Sequence, residues 1–243
     1  MASTPISRSM DRLHGIMRTL RGPGGCPWDA LQTTRSLKPY LLEETYELLE
    51  ALDNNDPSQI RDELGDLLLQ IVFHAQLFAE QSLFDLADVA DAISDKLERR
   101  HPHVFDDLTE TEIPALNRQW DRIKAGEKGS RSRSTSPLDG IPATLPALAR
   151  AAKYLERISR GEVQSIEDAK SKAGGALRAA LQQLSRLAEE VKDQAALETA
   201  FGDFLLATVA WGRSLDLDAE QALRQALDRV AKGNVSPPQN SED

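Results

Sequence analysis

Apolar residues recur every three or four positions along most of the chain, which is the spacing of one face of an α-helix. The first such stretch, residues 10–20, aligns Leu13, Ile16, Met17 and Leu20 on one face. The segment RGPGGCPWD that follows contains three glycines and two prolines, which is typical of a helix break. Further apolar stripes predict helices over residues 37–52, 58–81, 85–100 and 115–124.

The apolar periodicity stops after residue 125 and returns at residue 145. Residues 126–142 begin with GEKGSRSRSTSP, a Gly-, Ser- and Arg-rich composition that predicts a flexible linker. Residues 234–243 contain Val235 as their only hydrophobic side chain, so we expect this tail to be disordered. Between these two segments the pattern predicts helices over residues 145–158, 165–191, 194–215 and 218–231.

A short motif occurs in both halves of the chain. The sequence GDLLL at residues 65–69 is echoed by GDFLL at residues 202–206, and each is followed by an apolar run and a short acidic segment. This order favours an internal duplication of one helical unit. We therefore predict two units, residues 1–125 and residues 143–233.

The composition agrees with helical structure. Aromatic residues make up only 5% of the chain, Leu and Ala recur throughout, and the β-branched residues that favour strands are sparse. The prediction is an all-α fold built from duplicated helical bundles.

The charge balance limits the class of partner. The formal net charge is −10, whereas proteins that bind nucleic acid polymers through their phosphates are usually basic. A nucleic acid polymer is therefore not an expected partner. An acidic protein can still bind a small anionic nucleotide when metal ions bridge the two.

Three absences favour a cytoplasmic protein without a membrane partner. Cys26 is the only cysteine, so no intrachain disulfide can form and a reducing compartment is the simplest interpretation. Residues 1–10 lack an apolar core of signal-peptide length. The most apolar run, residues 67–79, is interrupted by polar residues and is shorter than the roughly 20 residues that cross a bilayer.

Five carboxylates lie on two consecutive predicted helices. Glu43, Glu44 and Glu47 occupy the helix over residues 37–52, and Glu63 and Asp66 occupy the next one. Residues three or four positions apart share a helix face, and the short turn between the helices makes them antiparallel. We therefore expect the two acidic faces to meet at the edge of the core.

The environment of these carboxylates favours a divalent cation. No lysine or arginine occurs between Lys38 and Arg61, so the acids lack local cationic partners and cannot all stay ionised without compensation. Mg²⁺ suits a few carboxylates together with waters and substrate phosphates. The alternative is a solvated acidic helix face. A di-iron carboxylate bundle is disfavoured because its Glu-x-x-His signature is absent.

The sequence segments around these acids resemble those of a known family. GCPWD at residues 25–29, PYLLEETYE at 39–47, DELGDLLLQIVFHAQ at 62–76 and SDKLERRHPHVF at 94–105 together resemble the MazG family of all-α nucleoside triphosphate pyrophosphohydrolases. The resemblance is close over residues 10–125 and loose beyond. It implies a helical bundle that assembles as a homodimer or higher homo-oligomer. It also implies hydrolysis of NTPs or dNTPs to a nucleoside monophosphate and pyrophosphate, in nucleotide-pool house-cleaning.

The resemblance also implies roles for individual residues. By the family pattern, Glu44, Glu47, Glu63 and Asp66 bind Mg²⁺, and Glu43 lies near the attacking water as a general base. The nucleotide is expected to contact a basic and aromatic set that consists of Lys96, Arg99, Arg100, Trp120 and Lys124. Without the resemblance, the basic residues would be interpreted as positive charges at a helix C-terminus, where they interact favourably with the helix dipole. Trp120 would be interpreted as a packing residue.

The second half departs from the acidic pattern. The segment GALRAALQQL at residues 175–184 has Arg178, Ala179 and Gln182 where acids are expected, and Asp203 survives with Ala200 in its partner position. One carboxylate cannot hold a divalent ion cluster. We therefore expect a degenerate unit that serves as a scaffold for folding or oligomerisation.

Two alternative functions stay open at the level of the sequence. The acidic motif is shared with narrow-specificity enzymes, such as dUTP or dCTP pyrophosphatases and phosphoribosyl-ATP pyrophosphohydrolase. A non-catalytic helical interaction module with solvated acids is the alternative outside enzymes.

Overall fold

The structure is a computed structural model that describes residues 4–106, 112–127, 136–159, 166–190 and 193–233. All regular secondary structure within these ranges is helical, which confirms the all-α prediction. The chain divides into two compact units, Met1–Gly129 and Ser130–Asp243. A common origin of the two units stays a prediction.

The helices of the first unit are α1 (Pro5–Arg21), α2 (Pro27–Leu31), α3 (Lys38–Asn54), α4 (Pro57–Ala79), α5 (Leu86–Arg100), α6 (Pro102–Phe105) and α7 (Ile113–Glu127). Those of the second unit are α8 (Ala147–Ser159), α9 (Ile166–Glu190), α10 (Gln194–Ser214) and α11 (Ala219–Ala231). The long predicted helices are confirmed with small shifts at their ends. The short helices α2 and α6, which both begin with proline, were not predicted from periodicity.

The predicted linker and tail are only partly described. Helix α7 continues through Gly126 and Glu127, so these two residues are helical rather than linker. Residues 128–135 and the tail 234–243 lie outside the described residues. Residues 136–142 form turns, in which Ile141 is buried.

The turn between α3 and α4 has well-defined capping residues. Asn55 ends α3 in the left-handed conformation, with φ of 53°. The side chain of Asp56 then accepts hydrogen bonds from the backbone N–H groups of Ser58 and Gln59, and Pro57 begins α4. Because the connection is so short, α3 and α4 pack side by side as antiparallel neighbours.

The core of the first unit lies between α1, the start of α3 and the second half of α4. Its buried residues are Met17, Leu37, Val72, Phe73 and Leu77. The acidic positions of α3 and α4 lie outside this cluster, so the core fixes the two helices and leaves their carboxylates near solvent.

Gly25 lets the chain fold back onto the end of α1. The Cys26 N–H donates to the carbonyl of Leu20 at 2.7 Å, and a Cβ at position 25 would lie 2.3 Å from the carbonyl oxygens of Thr19 and Leu20. Any side chain there would force the backbone apart. The close approach brings α2 next to the C-terminal end of α1.

Arg21 joins three helices through its largely buried side chain. Its side chain is 7% exposed, and its Nε and Nη2 atoms donate to the two carboxylate oxygens of Glu80, each at 2.7 Å. Its Nη1 atom donates to the carbonyl of Asp29, and the guanidinium lies 5.4 Å from the ring centroid of Phe73. The hydrogen bonds from Arg21 lower the pKa of Glu80.

We expect Arg21→Met to lower the free energy of unfolding by about 2–3 kcal/mol. The substitution leaves Glu80 without its partner, and the effect is smaller than for a fully buried pair because Glu80 is 36% exposed. Urea denaturation measures the change. Arg18→Met, at an exposed position of the same helix, is the control and should change stability by less than about 0.5 kcal/mol. Equal effects in both variants would contradict the assigned role of Arg21.

The second unit is built around α9 and α10. Val209 and Ala200 of α10 are buried, and Gly174 of α9 packs beside Trp211 of α10, whose Nε1 would lie 3.4 Å from an added Cβ. Arg213 donates to the carbonyl of Ala152 at 2.7 Å, which ties α10 to α8. None of the helices in the described ranges has the length and apolar character needed to span a membrane.

Candidate active site

Three carboxylates converge where α3 and α4 pack together. One oxygen from each of Glu44, Glu63 and Asp66 lies within 4.8 Å of the other two. Glu44 and Glu63 are half-buried, whereas Asp66 is exposed. The antiparallel pairing of the two helices therefore brings together acids that are about twenty residues apart in sequence.

Glu43 and Glu47 lie beside this group and act on it electrostatically. The pKa of Glu44 is raised by burial and then by the negative charges of Asp66 and Glu47. The hydrogen bond that Glu44 shares with Glu47 and the charge of Glu43 raise it further. The pKa of Glu63 is raised by loss of solvation and by the charges of Glu47 and Asp66. The five acids thus form one repulsive cluster in the absence of a cation.

The cluster has no basic partner within the described part of the chain. None of its five acids forms an ion pair there, and Arg61, which lies two residues before Glu63, pairs instead with the neighbouring Asp62 at 2.6 Å. This contrasts with an ordinary acidic helix face, in which lysine or arginine one turn away compensates the charge.

The donor set fits Mg²⁺. Oxygen ligands surround this ion at about 2.0–2.1 Å, so two ligand atoms lie at most about 4.2 Å apart. The observed limit of 4.8 Å between the oxygens of Glu44, Glu63 and Asp66 requires only a small contraction. Carboxylates with raised pKa values also gain most from a cation, because the ion removes the repulsion that raises them.

A second group of side chains lies between the C-terminal end of α5 and α7. The guanidinium of Arg100 is 5.3 Å from the ring centroid of Trp120, a cation–π distance. These two residues line a cavity of about 370 Å³ together with His101, His103 and Leu116. The volume lies within the range of small-molecule pockets, about 300–1,000 Å³. Helix α5 also packs against α4, the helix that carries Glu63 and Asp66.

Glu127 belongs to this second group and was not identified from the sequence. Its carboxylate accepts hydrogen bonds from both Arg99 and Arg100. The sequence pattern predicted that the helix ends at Lys124. Glu127 lies seven positions after Trp120, however, and positions four and seven apart share a helix face. That spacing was the available signal.

The two predicted lysines differ in what the structure describes. Lys96 is half-buried on α5, one turn before Arg100, and forms no ion pair with any described residue. Lys124 lies in α7, but its side chain is outside the described residues.

The second unit has no comparable cluster in its described ranges. Arg178 and Asp203 are both exposed, and no three acidic, histidine or cysteine side chains converge there. The geometry agrees with the loss of acids at residues 178, 179 and 182.

Comparisons with known proteins agree with the resemblance found in the sequence. Residues 32–105 match the MazG nucleotide pyrophosphohydrolase domain. The chain is 42% identical over 228 residues to the nucleoside triphosphate pyrophosphohydrolase of Escherichia coli, covering 92% of this chain and 84% of that protein. It is 42% identical over 226 residues to the nucleoside triphosphate pyrophosphohydrolase/pyrophosphatase MazG of Thermotoga maritima, covering 89% and 80%. Both matches extend over most of each protein, and the chain therefore belongs to the MazG family of nucleotide pyrophosphohydrolases.

Proposed function

We propose that the chain hydrolyses NTPs and dNTPs between the α- and β-phosphates in an Mg²⁺-dependent reaction. The main support is the convergence of Glu44, Glu63 and Asp66 without a basic partner in the described ranges. These residues lie within the matched domain, and the relatives from E. coli and T. maritima carry the name of this activity.

In this proposal Glu44, Glu47, Glu63 and Asp66 hold Mg²⁺. The bound ion supplies positive charge that neutralises the phosphate oxygens. Glu43, exposed beside Glu44, accepts a proton from the attacking water as general base. The water oxygen forms a bond to the α-phosphorus, and the bond from that phosphorus to the bridging oxygen breaks. The products are a nucleoside monophosphate and pyrophosphate.

The nucleotide is assigned to the group on α5 and α7. Trp120 offers an aromatic face for stacking of the base, and Arg100 lies against that ring. Lys96, Arg99 and Lys124 complete the positive charge around the phosphates. A largely dissociative phosphoryl transfer depends mainly on such positioning and charge stabilisation.

Product analysis over a nucleotide panel tests the activity. We expect pyrophosphate, not orthophosphate, to be released from several NTPs and dNTPs, with turnover falling to background when EDTA removes Mg²⁺. A nucleoside diphosphate with orthophosphate as the main products would exclude the proposed bond cleavage. Turnover of dUTP, dCTP or phosphoribosyl-ATP alone would favour the narrow enzymes. Broad turnover would support a house-cleaning role in the cytoplasmic nucleotide pool.

We also propose that the second unit, which lacks a carboxylate cluster in its described ranges, acts as a scaffold.

We further propose that the protein is a homo-oligomer. Three apolar side chains of α3 and α4, those of Leu42, Leu64 and Ile71, are 42–55% exposed, and Leu64 and Ile71 lie on the same face of α4. Large exposed apolar surfaces commonly mark protein interfaces. Light scattering is expected to give at least twice the chain mass, and Leu64→Glu to lower it. A monomeric wild-type protein would contradict this.

A further inference from the structure

We propose that Glu127 is a positioning residue for the substrate phosphates, because it holds Arg99 and Arg100 in one fixed arrangement. The inference rests on the proposed function, since that function assigns both guanidinium groups to the nucleotide. Glu127 itself has no assigned contact with the nucleotide and acts through the two arginines.

The geometry is that of one carboxylate shared by two guanidinium groups. Arg99 donates from Nε at 3.0 Å and from Nη2 at 2.7 Å to Oε1 of Glu127. Arg100 donates from Nε at 3.1 Å and from Nη2 at 2.5 Å to Oε2. Each arginine therefore uses the same two nitrogen atoms for Glu127. The Nη1 atom of each makes no hydrogen bond with the described residues and is available to an anion.

This arrangement is not what the helix alone would produce. Neighbouring residues on an α-helix point about 100° apart and do not face each other, and two guanidinium groups repel. Glu127 offsets the repulsion and brings the two groups together, with Arg100 beside Trp120. Arg100 is further restrained by that ring, and its side chain is only 15% exposed.

Restraint of the arginines before substrate arrives favours binding. A free arginine side chain loses rotamer entropy of about 0.5–1.5 kcal/mol when it is immobilised in a complex. Glu127 imposes that loss during folding rather than during binding. Two hydrogen bonds from each guanidinium to one carboxylate oxygen also restrict the orientation of its plane, which matters for a ligand with several phosphate oxygens.

Charge and positioning predict opposite effects of removing Glu127. The group of Arg99, Arg100 and Glu127 has a net charge of +1, and Glu127→Gln raises it to +2. If charge alone decided affinity, the variant would bind a triphosphate more tightly. If positioning decides it, the variant binds more weakly, because a neutral amide cannot pair with two guanidinium groups.

Steady-state kinetics at saturating Mg²⁺ and binding of an α,β-methylene NTP analogue distinguish these cases. We expect Glu127→Gln to raise KM and the analogue Kd by about fivefold to tenfold, with kcat within about twofold and an unchanged melting temperature. Glu127→Asp keeps the charge and should restore part of the affinity. Glu98→Gln removes an exposed charge beside Arg99 and should leave both constants within about twofold.

An unchanged or lowered KM and Kd in Glu127→Gln would overturn the positioning role. Equal effects in Glu127→Gln and Glu98→Gln would also overturn it, because they would indicate a general charge effect. If the wild-type protein binds the analogue but releases no pyrophosphate from NTPs, the proposed function fails while the Kd series still tests Glu127. If the wild-type protein neither binds the analogue nor hydrolyses NTPs, the arginines are not nucleotide contacts and both proposals fail.

Discussion

Asp66→Asn is expected to lower kcat for pyrophosphate release by a factor on the order of 10³, even at saturating Mg²⁺. Asp66 supplies one of the three converging oxygens and raises the pKa of both Glu44 and Glu63. The asparagine side chain has nearly the same volume but no negative charge, so the cation loses a ligand while the fold is kept. We expect the same result for Glu47→Gln. Turnover is measured over an Mg²⁺ titration.

Asp203→Asn is the matched control for this prediction. Asp203 holds the corresponding position of the GDFLL motif on α10, is exposed, and lies outside any cluster of acids in the described ranges. The kcat of Asp203→Asn for pyrophosphate release should stay within about twofold of the wild-type value. Near-wild-type turnover in Asp66→Asn would count decisively against the assigned site. A large loss in Asp203→Asn, with unchanged melting temperature and oligomeric state, would assign chemistry to the second unit.

The sequence predicted the acidic cluster because every step depended on local rules. The apolar period placed the acids of α3 on one face and those of α4 on another. Asn55 and Asp56 then marked a connection too short for anything but antiparallel helices. Once those two facts are given, the meeting of Glu44, Glu63 and Asp66 follows from helix geometry.

The pairings between distant elements could not be predicted in this way. Glu127 lies 27 and 28 residues from the arginines that it binds, and Glu80 lies 59 residues from Arg21. Periodicity describes which face of one helix is apolar, but not which helix covers it. Charged residues at helix ends are common. The seven-residue spacing from Trp120 could point to Glu127, whereas Glu80 has no comparable signal in the sequence.

Short helices were missed for a different reason. Helices α2 and α6 have five and four residues, about one turn each, and a period of 3.6 residues cannot be recognised within one turn. The glycines and prolines around α2 were read as a break. They instead form a tight turn back onto α1, in which Gly25 allows the close approach of the backbone and Pro27 begins α2.

The second unit contains a Gly-Gly pair, Gly174 and Gly175, inside the helix predicted over residues 165–191. Such a pair normally destabilises a helix, but the structure continues α9 through both residues, as predicted. Trp211 of α10 packs beside Gly174, where an added Cβ would lie at an ordinary contact distance of 3.4 Å from its Nε1 atom. Packing of α9 against α10 accompanies the unfavourable local preference, in a unit for which we propose a scaffold role.

Glu44→Gln is expected to stabilise the metal-free protein and to abolish its stabilisation by Mg²⁺. The folded state raises the pKa of Glu44, so it binds a proton more tightly than the unfolded chain, in which the pKa is about 4.3. Ionised Glu44 therefore destabilises the fold at every pH above its raised value, and this penalty fades as the pH falls through that value. At pH 7 glutamine removes the penalty, and we expect a gain on the order of 1 kcal/mol.

Whereas the metal-free stability should rise in Glu44→Gln, its stabilisation by Mg²⁺ should fall. A ligand that binds only the folded state stabilises the wild type by about 2.7 kcal/mol at a hundredfold excess over its Kd. Glu44→Gln should lose nearly all of this, since one ligand and one charge are gone. Melting temperatures with and without excess Mg²⁺, at pH 7 and at lower pH, measure both effects. In the wild type the Mg²⁺ increment should shrink on acidification, because protons and the cation compete for the same oxygens.

Glu50→Gln, at an exposed position of α3, is the control because it removes one charge from the same helix outside the cluster. Its Mg²⁺ increment should match that of the wild type. If Glu44→Gln lowered the metal-free melting temperature and kept the full increment, Glu44 would be neither repelled by its neighbours nor a ligand. The acids would then be a solvated helix face, as in the non-catalytic alternative. A higher melting temperature of Glu44→Gln without Mg²⁺, together with loss of the stabilisation by Mg²⁺, is expected only for a site whose charges are arranged for a cation.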